Sequence, residues 1–165
     1  MPKDITGLKS LLKDPSLLET RAYVAGEWIH ADDGRTFDVV NPARGDVIAQ
    51  VADLSRAEVA RAIEAAAVAM KDWAARPAKE RAQIMRRWFD LMMANQDDLG
   101  TILTAEMGKP LAEAKGEIAY GASFIEWFGE EAKRIYGETI PGHMRDKRLT
   151  VIRQPIGVVG SITPW

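Results

Sequence analysis

Few residues in this chain are of the types that carry covalent or metal chemistry. Cysteine is absent, so these residues hold no disulfide, no thiolate metal site and no cysteine nucleophile. The two histidines, His30 and His143, are too far apart for a spacing such as H-E-x-x-H, which sets two imidazoles on one helix face. The remaining place for chemistry is the end of the sequence. Residues 156–162, Ile-Gly-Val-Val-Gly-Ser-Ile, form an almost continuously apolar run between Pro155 and Pro164. Such a run reads as a strand covered on both faces, as in a parallel sheet. Ligands of parallel sheets lie beyond the carboxyl ends of the strands. Thr163, Pro164 and Trp165 occupy that position, although an ordinary strand-to-loop exit is the simpler account of so short a segment. Gly157-x-x-Gly160 is not a dinucleotide fingerprint, because it lacks the G-x-G-x-x-G order and a following helix.

The elements that must position this end come before it. Residues 1–22 are an amphipathic lead-in with Leu8, Leu11, Leu12, Leu17 and Leu18, interrupted by Pro15. From Tyr23 to Ile29 the pattern is two short strand pieces around a Gly turn. Thr36–Val40 and Asp46–Val51 read as a second pair, joined by the turn residues Asn41-Pro42-Ala43-Arg44-Gly45. Residues 23–53 are expected to make a small antiparallel layer. At Ser55 the period changes to that of a helix: Ser55 and Glu58 form a capping-box pattern, and Leu54 with Val59 has hydrophobic-staple spacing.

Val59, Ile63, Ala66, Ala67, Met70 and Trp73 then fall on one face, expected to point inward. A second helix follows Pro77, with Ile84, Trp88, Leu91 and Met92 inward. A third runs from about Asp97 to Met107 and ends at Gly108. Pro110 opens the longest helix, expected to end with Lys133 and Arg134 before Gly137. Gly116 and Gly121 lie inside it, and close packing is the first explanation for them; a wall kept low beside a ligand is the second. Arg148 to Gln154 alternates like an exposed strand.

Composition narrows the function classes. The chain has 165 residues, 47% hydrophobic and 28% charged, with 22 basic against 24 acidic side chains. It is long enough to bury a core, and a net charge of −2 argues against a phosphate-tracking surface. Nucleic acid is not an expected partner. No run approaches the ~18 apolar residues of a membrane span, and the first 20 residues mix acids with lysines, unlike a signal or transit peptide. The expectation is a cytoplasmic protein without a membrane partner.

A parallel strand needs a neighbour reached by a crossover of a dozen or more residues. No second run of the kind seen at 156–162 is present, so the chain reads as a truncated N-terminal piece of an α/β protein.

The residues carry a resemblance at this point. Gln154-Pro155-Ile156-Gly157-Val158-Val159-Gly160-Ser161-Ile162-Thr163-Pro164-Trp165 resembles the strand-and-turn motif that opens the cofactor domain of the aldehyde dehydrogenase superfamily. Glu106-Met107-Gly108-Lys109-Pro110 is similar to the family's E-x-G-K-P element, and Tyr23 to Ile29 with Asn41-Pro42-Ala43 resembles its G-x-W … N-P-A pattern. Leu111 to Ala122, Glu126-Trp127-Phe128 and Tyr136 to Gly142 look most like the succinate-semialdehyde dehydrogenase branch, with glutarate-semialdehyde dehydrogenases sharing much of the pattern.

The resemblance implies an α/β fold: small antiparallel strands, a helical bundle and the first strand of a Rossmann-like parallel sheet, truncated. It divides the chain into a lead-in (1–22), strands and helices of the N-terminal part of the cofactor domain (23–146), an oligomerisation-arm strand (147–154) and the first parallel strand (155–165). It implies a full-length enzyme that oxidises succinate semialdehyde through a Cys thioester, with NAD or NADP as cofactor and homo-oligomeric assembly. None of the catalytic residues lies in these 165 residues, which alone are expected to be inactive. Ile162, Thr163, Pro164 and Trp165 match the segment that lines the ribose side of the cofactor. Gly121, Phe124 and Ile125 match one wall of the substrate tunnel. Glu106 aligns with a position that helps hold a structural cation in some members, although a solvated helix-end carboxylate explains it without a metal. The alternative from another class is a stand-alone helical interaction module built on residues 55–137, whose terminal apolar strand augments a partner's sheet.

Overall fold

A computed structural model describes residues 7–163. The lead-in forms a four-residue helix α1 (Leu8–Leu11) and a 3-10 turn (Pro15–Leu17). Two hairpins follow: β1 (Ala22–Val24) with β2 (Glu27–Ile29), then β3 (Thr36–Val40) with β4 (Val47–Ala52). The expected single layer over 23–53 is therefore two separate two-stranded sheets. The first hairpin turns through Ala25 (φ 54°) and Gly26 (φ 92°), the left-handed pair that matches the twist of its strands. The helices are α2 (Arg56–Ala75), α3 (Ala78–Ala94), α4 (Gln96–Met107) and α5 (Leu111–Glu131). A last hairpin joins β5 (Glu138–Pro141) to β6 (Arg148–Val151).

The helical body is α5 packed between α3 and α4. Its seam is built from small residues. Ala114 and Ala122 of α5 and Ala82 of α3 are buried, as are Gly100 of α4 and Gly129 of α5. A Cβ on Gly100 would sit 2.8 Å from Lys115 Cγ and 3.3 Å from the Lys115 backbone nitrogen; one on Gly129 would sit 3.2 Å from Met85 Cβ. Helices approach this closely only where no side chain intervenes. The close-packed glycines are thus Gly100 and Gly129, not the expected Gly116 and Gly121, whose Cβ positions face open space.

Two buried carboxylates tie the remaining elements down. Glu58, 2% exposed, accepts the backbone N–H groups of Asp32 (2.5 Å) and Ser55 (2.5 Å), and the reciprocal bond from Glu58 N–H to Ser55 Oγ completes the expected capping box. Asp32 also receives both terminal nitrogens of Arg61, at 2.8 Å each. Asp98, 5% exposed, accepts the N–H groups of Lys13 (3.0 Å) and Asp14 (2.8 Å). Beside it, Asp97 pairs with Lys115 and Lys13, both at 2.8 Å.

Several expectations change in the structure. The face of α2 read as inward is exposed: Val59 is 45% and Ile63 54% accessible, because α2 is held at its N-terminus and packs extensively on no other element among the described residues. Trp88 and Leu91 of α3 are exposed as well, because α5 meets α3 along its small-residue side. The longest helix ends at Glu131, short of Lys133 and Arg134. Gly137 does not cap it. That glycine lies against β6, where a Cβ would collide with the Val151 carbonyl oxygen. Of the strand expected over Arg148 to Gln154 only Arg148–Val151 forms, as β6, and it pairs with β5. Residues 156–162 do not form a strand: they lie outside every helix and strand, and Ile156 is 94% exposed. With no neighbouring parallel strand to receive its backbone groups, the run has no ladder to join. The fold class itself, α/β with small antiparallel pairs and a helical body, stands.

Gly100→Ala is expected to lower stability by about 1 kcal/mol, because overpacking at Lys115 outweighs the gain in helix propensity. Gly116→Ala, facing open space, should raise it by up to about 1 kcal/mol; urea midpoints compare the two. Lys115 and then Lys13 hold the Asp97 carboxyl down at about 2. Its stabilising contribution is present above the ordinary value of 3.8 and is lost as pH falls towards 2. Asp97→Asn should therefore flatten the acid limb of the urea midpoint between those pH values.

Candidate functional site

Two motifs far apart in sequence meet at the end of α4. The turn after β3 is self-bonded: Asn41 Oδ1 accepts the Ala43 N–H at 2.9 Å, and the Asn41 carbonyl accepts Gly45 N–H at 2.8 Å. Gly45 takes φ 78°, and Arg44 pairs with Asp46 through two bonds of 2.9 Å. Against this turn stands Gly108, which ends α4 in the left-handed conformation at φ 80°. A Cβ there would lie 3.1 Å from Pro42 Cγ. Both features require glycine at 108: the turn out of the helix and the proline ring beside it.

The residues flanking Gly108 are semi-buried. Glu106 is shielded enough that burial pushes its carboxyl above the ordinary value of 4.5. That corrects the reading of a solvated helix-end carboxylate. Lys109 pairs with Glu117, nearly two turns into α5, tying the motif to the next helix. The described residues contain no cluster of three or more His, Cys, Asp or Glu side chains placed to hold a metal ion.

The other expected site residues are not brought to this junction. Phe124 and Tyr120 meet edge to face on α5, with centroids 4.8 Å apart and planes at 76°. With Ser123, Glu126, Trp127 and Phe128 they line an open groove of about 780 Å³. Gly121 is half-buried with open space at its Cβ position, and Ile125 is half-buried. Close packing, the first of its two explanations, does not apply to Gly121. Ile162 is fully exposed and Thr163 exposed, whereas Pro164 and Trp165 lie outside the described residues. The described part of this segment makes no cradle for a dinucleotide, since no strand holds it in place.

Sequence reasoning missed Asp98 and the packing glycines. Asp98 carried only the signal of an acid in a first helical turn, which does not distinguish a solvated carboxylate from one that binds backbone amides. Gly100, inside the third predicted helix, carried the same signal as Gly116 and Gly121, a glycine in a helix interior, which does not say whether a partner backbone stands against it.

Residues 28–165 match the aldehyde dehydrogenase family. The chain belongs to that family. Among its relatives, glutarate-semialdehyde dehydrogenase of Pseudomonas aeruginosa is 63% identical over 154 residues, covering 93% of this chain and 32% of the relative. The NADP+-dependent succinate-semialdehyde dehydrogenase of Escherichia coli is 58% identical over the same shares. The crystal structure of succinate-semialdehyde dehydrogenase from Burkholderia pseudomallei superposes with a TM-score of 0.85 at 58% identity, covering 88% of this chain and 30% of that one. This aldehyde dehydrogenase chain thus spans about a third of the length of the relatives it matches. The junction of Asn41-Pro42-Ala43 with Glu106 to Pro110 gives two of the family motifs a shared structural reason, since one packs on the other.

Glu106 favours folding when protonated, so its contribution is present below pH 4.5 and is lost as pH rises through its elevated value. Glu106→Gln should therefore raise the urea midpoint at pH 7 and leave it nearly unchanged at pH 4.

Proposed function

We propose that these residues are the N-terminal part of an NAD(P)-dependent dehydrogenase that oxidises a short semialdehyde carrying a terminal carboxylate to the dicarboxylate. The supporting observation is the identity of 58–63% over 93% of the chain to enzymes named for succinate and glutarate semialdehyde. The motif resemblance favours succinate semialdehyde. The higher identity to the Pseudomonas aeruginosa relative favours glutarate semialdehyde as the second reading.

The reaction class needs a nucleophile that these residues do not contain, because cysteine is absent from all 165. NAD(P)+, when bound, would supply the hydride acceptor. The part assigned to this chain is positional. Ile162, Thr163, Pro164 and Trp165 are proposed to line the ribose side of the cofactor once the segment is held in a sheet. Gly121, Phe124 and Ile125 are proposed to wall the substrate path, a reading supported by the open space at Gly121 and the exposed aromatic groove beside it. The β5–β6 hairpin, exposed along both strands and packed extensively on no other element, is proposed to pair with a second subunit. A cytoplasmic location is part of the same proposal. Among the described residues no helix is long and apolar enough to cross a membrane.

The full-length protein that carries these residues should reduce NADP+ or NAD+ when given succinate or glutarate semialdehyde, followed by absorbance of the reduced cofactor. Lack of turnover with both substrates would refute the proposal. The 165 residues alone should produce no reduced cofactor. Deleting residues 147–165 addresses the interaction-module alternative, which requires the remaining body to keep a binding partner.

A further inference from the structure

The lead-in is too short to be stable by itself, with one four-residue helix and one 3-10 turn. Its hold on the body is concentrated at a few points. Leu8 and Leu12 are buried, while Leu11 between them is largely exposed. The buried Asp98 uses one oxygen for the Lys13 N–H and the other for the Asp14 N–H, so a single carboxylate grips two consecutive amides. Lys13 Nζ adds a pair to Asp97 at 2.8 Å. The base of the segment is fixed separately: Ala52 N–H donates to the Thr20 carbonyl, and Glu19 binds Arg21.

Ahead of the Asp98 grip, residues 7–11 leave part of the neighbouring surface unfilled. They form one wall of a cleft of about 560 Å³ whose lining includes Leu8, Leu11, Ile48, Thr101, Thr104 and Leu111. The Thr104 hydroxyl is buried there without a hydrogen-bond partner. A segment gripped by one carboxylate at its middle, anchored at its C-terminal end and bordering an unfilled cleft along residues 7–11 is arranged to open locally. We infer that residues 8–17 form a latched strap over this cleft, held shut by Asp98 and released as a unit while α3, α4 and α5 stay folded.

The absence of cysteine makes the strap directly testable. Thr104→Cys puts a single thiol beneath it in the 165-residue chain, and its reaction rate with Ellman's reagent reports opening. Adding Asp98→Asn should speed labelling by about tenfold or more, as expected for losing a charge-assisted grip on two amides. Leu12→Ala acts from the strap side, altering no residue of α4, and should also accelerate labelling, which decides the matter if Asp98→Asn disturbs the whole fold. Amide hydrogen exchange in α5 should stay unchanged with Leu12→Ala. Labelling insensitive to both substitutions would overturn the strap, and so would a parallel rise in α5 exchange with Leu12→Ala.

Discussion

The close approach of α5 to both of its neighbours is the constraint on which the rest of this structure depends. Gly100 lets α4 lie against the backbone at Lys115, and Gly129 lets α5 lie against Met85 of α3. Ala114 and Ala122 are fully buried along the same helix. A seam of this kind derives its stability from many short backbone and methyl contacts rather than from a few large side chains. It also leaves most aromatic residues outside. Trp88, Tyr120, Phe124, Trp127 and Phe128 all remain substantially exposed.

Polar ties do the remaining work of assembly, and they share one logic. Glu58 and Asp98 are buried, and each spends its two oxygens on backbone N–H groups: Glu58 on distant Asp32 and its own N-cap Ser55, Asp98 on Lys13 and Asp14. A carboxylate buried with such donors avoids the cost of an unpaired charge. The Asp32 amide, and after it Ser55, holds the Glu58 carboxyl below its ordinary range, so this tie persists as long as the group stays ionised. Glu106 is the opposite case: burial, with no compensating donor among the described residues, raises its value. Asp98 joins a segment more than eighty residues away in sequence, which makes it both a fold contact and the latch of the strap.

The exposed apolar surfaces fit the proposed function. The face of α2 with Val59 and Ile63, the α5 groove, and residues 156–162 are open in a chain that spans about a third of its relatives. In the proposed full-length enzyme these surfaces are available to the remaining two-thirds of the fold. Exposed apolar area of this extent marks contact surfaces.

The sequence by itself determined the local elements, because their causes are local. The capping box at Ser55 and Glu58, the left-handed Gly108 after α4, and the turn at Asn41 to Gly45 follow from side chains acting within a few residues. The family was legible from motifs in the same way. Tertiary structure alone decided which faces are buried. Apolar periodicity marks a face able to be covered but does not say whether a neighbour covers it, so the α2 face and Trp88 were misread. It also decided which glycines matter, since a glycine inside a helix shows its purpose only when the partner backbone stands against it, as at Gly100 and not at Gly116. The run at 156–162 has the composition of a buried strand, yet a strand exists only through bonds to another strand, and none of the described residues supplies one.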